Sequence, residues 1–139
     1  FPPMTPLTPT PPHSTLARRI DHTQLKAEAT PADIDRLIAE AREHGFASVC
    51  VNGWYVRRVA DGLRGSGVKT CAVAGFPLGA MKATVKAIEA TAAAKDGAEE
   101  IDFVAHLPTL LAEDEDAAAE EFIEVVQGVR AVRPSAVVK

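Results

Sequence analysis

The stretch Glu99-Glu100-Ile101-Asp102-Phe103-Val104 reads as a β-strand with a carboxylate in its middle. Ile101 precedes Asp102, and Phe103 and Val104 follow it. Such apolar flanks suggest a strand buried on both faces, as in a parallel sheet. A bare carboxylate there costs on the order of several kcal/mol. Asp102 is therefore either a structural group that caps or pairs locally, or a group that does chemistry. The strand alone leaves both open.

Outward from this strand, strand and helix patterns alternate. Residues 16–19 read as a short helix and 20–25 as strand one. Thr30-Pro31-Ala32-Asp33 is a helix start, with Thr as N-cap, Pro at the first helical position and an acid in the first turn. Ile34, Leu37, Ile38 and Ala41 follow at helical spacing, and Gly45 ends the run. Residues 47–51 form strand two, and 54–63 a helix closed by Gly65-Ser66-Gly67. Strand three covers 68–73, and an alanine-rich helix over 82–96 ends at Gly97. Residues 100–104 are strand four, and a helix over 116–132 stops before Pro134. A fifth strand begins at 136–138.

This alternation predicts a parallel α/β fold. An open doubly wound sheet and the first half of a (β/α)8 barrel both fit, and periodicity does not separate them. In either, functional residues belong at the C-terminal ends of the strands.

The chain has 139 residues, 47% of them hydrophobic and 24% charged, which suits one soluble globular domain. Residues 1–13 carry Pro2, Pro3, Pro6, Pro9, Pro11 and Pro12 and little that packs. They read as an extended or disordered leader with Met4 as a candidate start, and 14–139 as the folded unit. The net charge of -4 argues against nucleic acid as a partner. No apolar run approaches the roughly 18 residues of a membrane span, and no secretory pattern is present. Cys50 and Cys71 lie in separate predicted strands, without disulfide or zinc-ligand spacing. A reducing cytoplasm and no metal site are expected.

The strand ends deliver Asp21-His22-Thr23 and Lys26, then Cys50, Val51 and Asn52, then Gly75-Phe76-Pro77-Leu78-Gly79, then Asp102 and His106, and finally Lys139. A polar group in nearly every strand is hard to explain by packing alone. Each has a plain alternative. Asp21 could cap a turn, His22 could be a satisfied structural histidine, and Cys50 could act as a small hydrophobe. Lys26, Lys82 and Lys86 are expected to be solvated. The Gly-Phe-Pro-Leu-Gly spacing is neither a Walker loop nor a dinucleotide fingerprint.

Taken in order, Ile20-Asp21-His22-Thr23-Gln24-Leu25-Lys26, Ser48-Val49-Cys50-Val51-Asn52, Gly75-Phe76-Pro77-Leu78-Gly79-Ala80 and Asp96-Gly97-Ala98-Glu99-Glu100-Ile101-Asp102 resemble the deoxyribose-phosphate aldolases, in register over about residues 16–139. The resemblance implies the first half of a TIM (β/α)8 barrel, with parallel strands one to four and the start of strand five. It implies a class I aldolase that uses no metal or other cofactor. In that chemistry a lysine amine forms a Schiff base with acetaldehyde. The derived enamine adds to glyceraldehyde 3-phosphate to give 2-deoxyribose 5-phosphate, and the reverse reaction cleaves the sugar phosphate.

By the same resemblance Asp102 matches the proton-transfer aspartate. Asp21 matches an acid of the same network. Lys139 matches a strand-five lysine beside the site rather than the Schiff-base lysine. Cys50 matches the site cysteine, and with Asn52 it is expected to contact substrate.

The chain departs from the family pattern in three places. Gly53 stands where Pro is usual, and His106-Leu107-Pro108 where Asn-Ile-Gly is usual. The sixth strand, with its Schiff-base lysine, is absent from the 139 residues. The expected alternatives are a fragment, a subunit completed by a C-terminal partner half, or an inactive half-barrel that binds a partner. An oligomer or a complementary half is thus an expected partner beside the sugar phosphate and the aldehyde. The barrel reading places all helices on the outer face. It assigns Val49, Val51 and Ala72, or their neighbours of opposite parity, to the inner face.

Overall fold

The computed structural model describes residues 16–139; the proline-rich stretch 1–13 lies outside them. After a single 3-10 turn at Ala17–Arg19 come β1 (Asp21–Gln24), α1 (Pro31–His44), β2 (Ser48–Val51), α2 (Val56–Gly62), β3 (Lys69–Ala74), α3 (Ala83–Asp96), β4 (Glu100–Phe103), α4 (Leu107–Leu111), α5 (Glu115–Val132) and β5 (Val137–Val138). The strands form one sheet in the order β1-β2-β3-β4-β5, parallel throughout. Neighbours in sequence are neighbours in space, as right-handed crossovers through a helix require of a barrel wall.

The helix starts follow local chemistry. At α1 the Thr30 hydroxyl accepts from the Asp33 N–H at 3.3 Å, while the Asp33 carboxylate accepts from the Thr30 N–H at 2.9 Å. These reciprocal bonds satisfy donors the helix leaves free. Asp114 caps α5 through the Ala117 N–H.

Register decides which residues face the helices. Val49, Val51, Ala72, Ala74 and Ile101 are buried in one core with Ile34, Leu37 and Ile38 of α1, Val56 and Val59 of α2, Ala90 and Ala93 of α3, and Val125 and Val129 of α5. All four long crossover helices therefore pack on the same face of the sheet. This matches the barrel wall and excludes the doubly wound sheet. The other face is lined by the residues of opposite parity, with Cys50, Cys71 and Val73 forming a small cluster against Leu25. Of the two sets offered for the inner face, the neighbours of Val49, Val51 and Ala72 are the ones that occupy it.

Other expectations are corrected. Residues 54–63 are not one helix, because a 3-10 turn at Gly53–Tyr55 precedes α2. The short α4 was not expected; Leu107-Pro108 starts it with Pro in its first turn. Lys86 is fully buried rather than solvated, its ammonium paired with the Glu121 carboxylate of α5. Glu121 also accepts from the His106 N–H at 2.9 Å, so this pair ties α3, α5 and the loop after β4 together.

The loop after β3 is held against the loop after β4. The Gly75 N–H donates to Glu89 at 2.8 Å. At Gly79 the backbone is left-handed, with φ 63, and an added Cβ would lie 2.4 Å from the Ala105 carbonyl oxygen and 2.8 Å from Val104. Only glycine permits that approach.

Candidate active site

Strand period two builds the site. Asp21 pairs in register with Ser48, and Ser48 with Lys69. Cys50 lies beside Cys71, Cys71 beside Glu100, and Val73 beside Asp102. Asp21, Ser48, Cys50, Lys69, Cys71, Glu100 and Asp102 thus share the face that carries no helix. Lys139 joins them from the end of β5. Its N–H donates to the Ile101 carbonyl at 2.8 Å, and its carbonyl accepts from the Phe103 N–H at 3.0 Å.

The Lys139 ammonium is the hub. It lies 3.0 Å from Glu100, 3.1 Å from Asp102 Oδ1 and 3.3 Å from Asp21 Oδ2. Burial works against its charge, but the ion pairs with Glu100 and Asp102 outweigh it and hold the lysine well above its ordinary value. An ammonium pinned this way is a poor nucleophile. It suits a fixed positive charge.

Glu100 also accepts from Lys69 at 2.9 Å. Burial pushes its carboxyl up, yet Lys69 and Lys139 hold it below the usual range. The second oxygen of Asp21 accepts from the Ser48 hydroxyl at 2.6 Å. Asp21 is therefore a member of this network and caps no turn.

Asp102 is less enclosed than its apolar flanks imply: its side chain is 37% exposed on the helix-free face. Its Oδ1 is nevertheless buried. Among the described residues this atom has the Lys139 ion pair and no aligned hydrogen bond. A carboxylate with spare accepting capacity beside a fixed cation is equipped to take and return a proton.

The Cys50 and Cys71 thiols lie side by side. The neighbouring Cys71 holds Cys50 below the ordinary thiol range against its burial, while Cys50 together with burial pushes Cys71 up. The sulfurs and an Asp102 oxygen lie within 4.8 Å of one another.

The structure thus brings Asp21, Cys50, Asp102 and Lys139 together, and Asn52 stands two residues beyond Cys50, just past the end of β2. The Asn52 amide donates to the Leu25 carbonyl at 3.2 Å and ties down the loop after β1. His22 points to the helix side, where it meets Glu40 of α1 at 2.7 Å, a structural role. His106 Nδ1 lies 2.7 Å from the Thr109 hydroxyl at the start of α4. Sequence reasoning missed Ser48, Lys69, Cys71 and Glu100. Ser48 and Cys71 lie directly across from Asp21 and Cys50, Glu100 lies two residues before Asp102, and Lys69 lies across from Ser48, so the period-two rule could have found them.

No family model matches the chain. Curated relatives do. A deoxyribose-phosphate aldolase of Bdellovibrio bacteriovorus is 50% identical over 112 residues, 81% of this chain and 51% of that protein. One of Deinococcus radiodurans is 48% identical over 124 residues, 89% of this chain and 54% of that protein. Among solved structures, the tetrameric deoxyribose phosphate aldolase of Aeropyrum pernix superposes with a TM-score of 0.77 at 35% identity, covering 88% of this chain and 50% of that one. The aldolase QR15 gives 0.75 at 34% identity, covering 88% and 52%. The chain spans about half the length of the relatives it matches. Five parallel strands with helices on one face, and this degree of identity along nearly all the described residues, place the chain in the deoxyribose-phosphate aldolase family, of which it carries the N-terminal region.

Proposed function

We propose that this region serves a class I aldolase that reversibly cleaves 2-deoxyribose 5-phosphate to glyceraldehyde 3-phosphate and acetaldehyde, and that it carries part of the site. The observation that carries the reading is the Asp21–Lys139–Asp102 cluster on the helix-free face, with a hydrogen-bond-poor Asp102 oxygen at its centre.

In this reading Asp102 shuttles protons during carbinolamine dehydration and enamine formation. The Lys139 ammonium lies 3.1 Å from that carboxylate. Its fixed charge lowers the pKa of the imine-forming lysine, supplied by strands beyond those described here, so that a neutral amine is available. Asp21 and Glu100 hold the Lys139 ammonium in place. Cys50 lines the floor of the substrate pocket, and Asn52 shapes its rim through the loop after β1. The chemistry needs no metal or organic cofactor. We place the enzyme in the cytoplasm, on the ground that its two cysteines make no disulfide framework.

The helix-free face and the outer edges of β1 and β5 call for the remaining barrel strands, from the same polypeptide or a complementary half, and an oligomer is expected of the assembled protein. Retro-aldol cleavage of 2-deoxyribose 5-phosphate by the protein with its barrel completed tests the reading. Borohydride reduction in the presence of acetaldehyde should trap an N-ethyl lysine outside residues 1–139. A completed, folded barrel with neither cleavage nor adduct would favour a binding role instead.

A further inference from the structure

We propose that Cys50, Cys71 and Asp102 form a binding site for one soft divalent cation of the zinc or cadmium type, on the helix-free face of β2, β3 and β4. Chain spacing conceals the site because each ligand comes from a different strand. Register assembles it: Cys50 pairs with Cys71, and Asp102 follows Glu100, the partner of Cys71, on the same face.

Three observations support the site. One sulfur from each cysteine and one carboxylate oxygen lie within 4.8 Å of one another. With metal–sulfur bonds of about 2.3 Å and metal–oxygen bonds of about 2.0–2.2 Å, a tetrahedral ion needs donors roughly 3.5–3.8 Å apart, so small side-chain rotations close the site. Two sulfurs with one oxygen select a soft d10 ion over magnesium or calcium. Asp102 Oδ1 is a buried oxygen with no aligned hydrogen bond among the described residues, a lone pair ready for a cation. Lys139, its ion-pair partner among the described residues, still has Asp21 at 3.3 Å and Glu100 at 3.0 Å if Asp102 turns to the metal.

The charge balance is neutral. One divalent ion enters, two metal–sulfur bonds form, two S–H bonds break, and two protons leave to solvent. The buried cluster therefore gains no net charge. Affinity should rise with pH as those protons become easier to release. The fourth position faces the helix-free side and is left for water. A loaded ion holds Asp102, so it would block the proton transfer assigned above. That consequence rests on the aldolase reading, whereas binding itself does not.

The test is a cadmium titration of the purified protein under a thiol-free reductant. Thiolate-to-cadmium charge-transfer absorption, proton release and cysteine alkylation are followed together. Loss of the band in Cys50→Ala and in Cys71→Ala ties it to this pair, whatever other thiols the purified protein carries. The expected result is a band that saturates at one ion per chain, two protons released per ion, and both thiols shielded from alkylation. Cys71→Ala should abolish two-thiolate binding, and Asp102→Asn should weaken it about tenfold or more while keeping the band. Because Asp102→Asn leaves both thiols in place, it keeps the test open if a cysteine variant folds poorly. No band at stoichiometric cadmium, one ion shared between two chains, or unchanged affinity in Asp102→Asn would overturn the site.

Discussion

Replacing Lys86 with Met should be among the most damaging single changes in this chain. The Lys86 side chain has no solvent exposure and its ammonium meets Glu121, itself buried. Lys86→Met keeps most of the volume and leaves Glu121 without its cation. Breaking a buried pair from one side costs about 3–5 kcal/mol. The His106 N–H still donates to Glu121 at 2.9 Å, which places the loss at the lower end, near 3 kcal/mol.

With a urea slope of about 1.5 kcal/mol/M, that loss lowers the unfolding midpoint by about 2 M. The double variant Lys86→Met with Glu121→Leu removes the stranded charge and leaves one orphaned backbone N–H at His106. It should recover to a loss of about 1–2 kcal/mol. The double-mutant comparison by urea unfolding is the assay. A single variant within about 1 kcal/mol of the parent, or a double variant no better than the single, would refute the argument that this pair is a desolvated ion pair.

Further outcomes follow from the same structure. Gly79→Ala must place a Cβ 2.4 Å from the Ala105 carbonyl in a left-handed backbone, so it should cost about 2 kcal/mol or more. Gly53→Ala meets nothing within 4 Å and should stay within about 0.5 kcal/mol in thermal unfolding. Glu100 is held below its ordinary value in the folded chain, so its contribution to stability is present above the unfolded carboxyl value and is lost as pH falls through the lower folded one. Glu100→Gln should therefore flatten the stability profile between about pH 5 and about pH 3. A profile parallel to the parent's would show that the Lys69 and Lys139 contacts do not act on this carboxyl.

The elements were legible because their local signals are strong. Thr30-Pro31-Ala32-Asp33 marked the start of α1, and Gly45 and Gly97 marked the ends of α1 and α3. The side of the sheet each residue occupies was not legible in β2 and β3, because Val49, Cys50 and Val51, like Cys71, Ala72 and Val73, are apolar or small on both parities. Lys86 was misjudged because a lysine on a helix is ordinarily solvated, and its partner Glu121 lies 35 residues away on another helix. Asp21, Cys50, Asp102 and Lys139 were found through their places at strand ends. Glu100 shares the face of Asp102, but in the sequence it follows Glu99 as the second of two acids at the strand's entry, a pattern that reads as a solvated edge. Asn52 was placed near substrate by the resemblance, and its bond to the Leu25 carbonyl is a loop contact no linear pattern reveals.

The most direct test of the account is kcat for cleavage of 2-deoxyribose 5-phosphate by the barrel-complete protein carrying Asp102→Asn. Asn keeps the shape of Asp102 and removes its capacity to take a proton. The account predicts a fall of about 10²–10⁴ in kcat with the unfolding midpoint little changed. Activity within a factor of about three of the parent in a folded variant would make Asp102 a structural partner of Lys139 and contradict the role assigned to it.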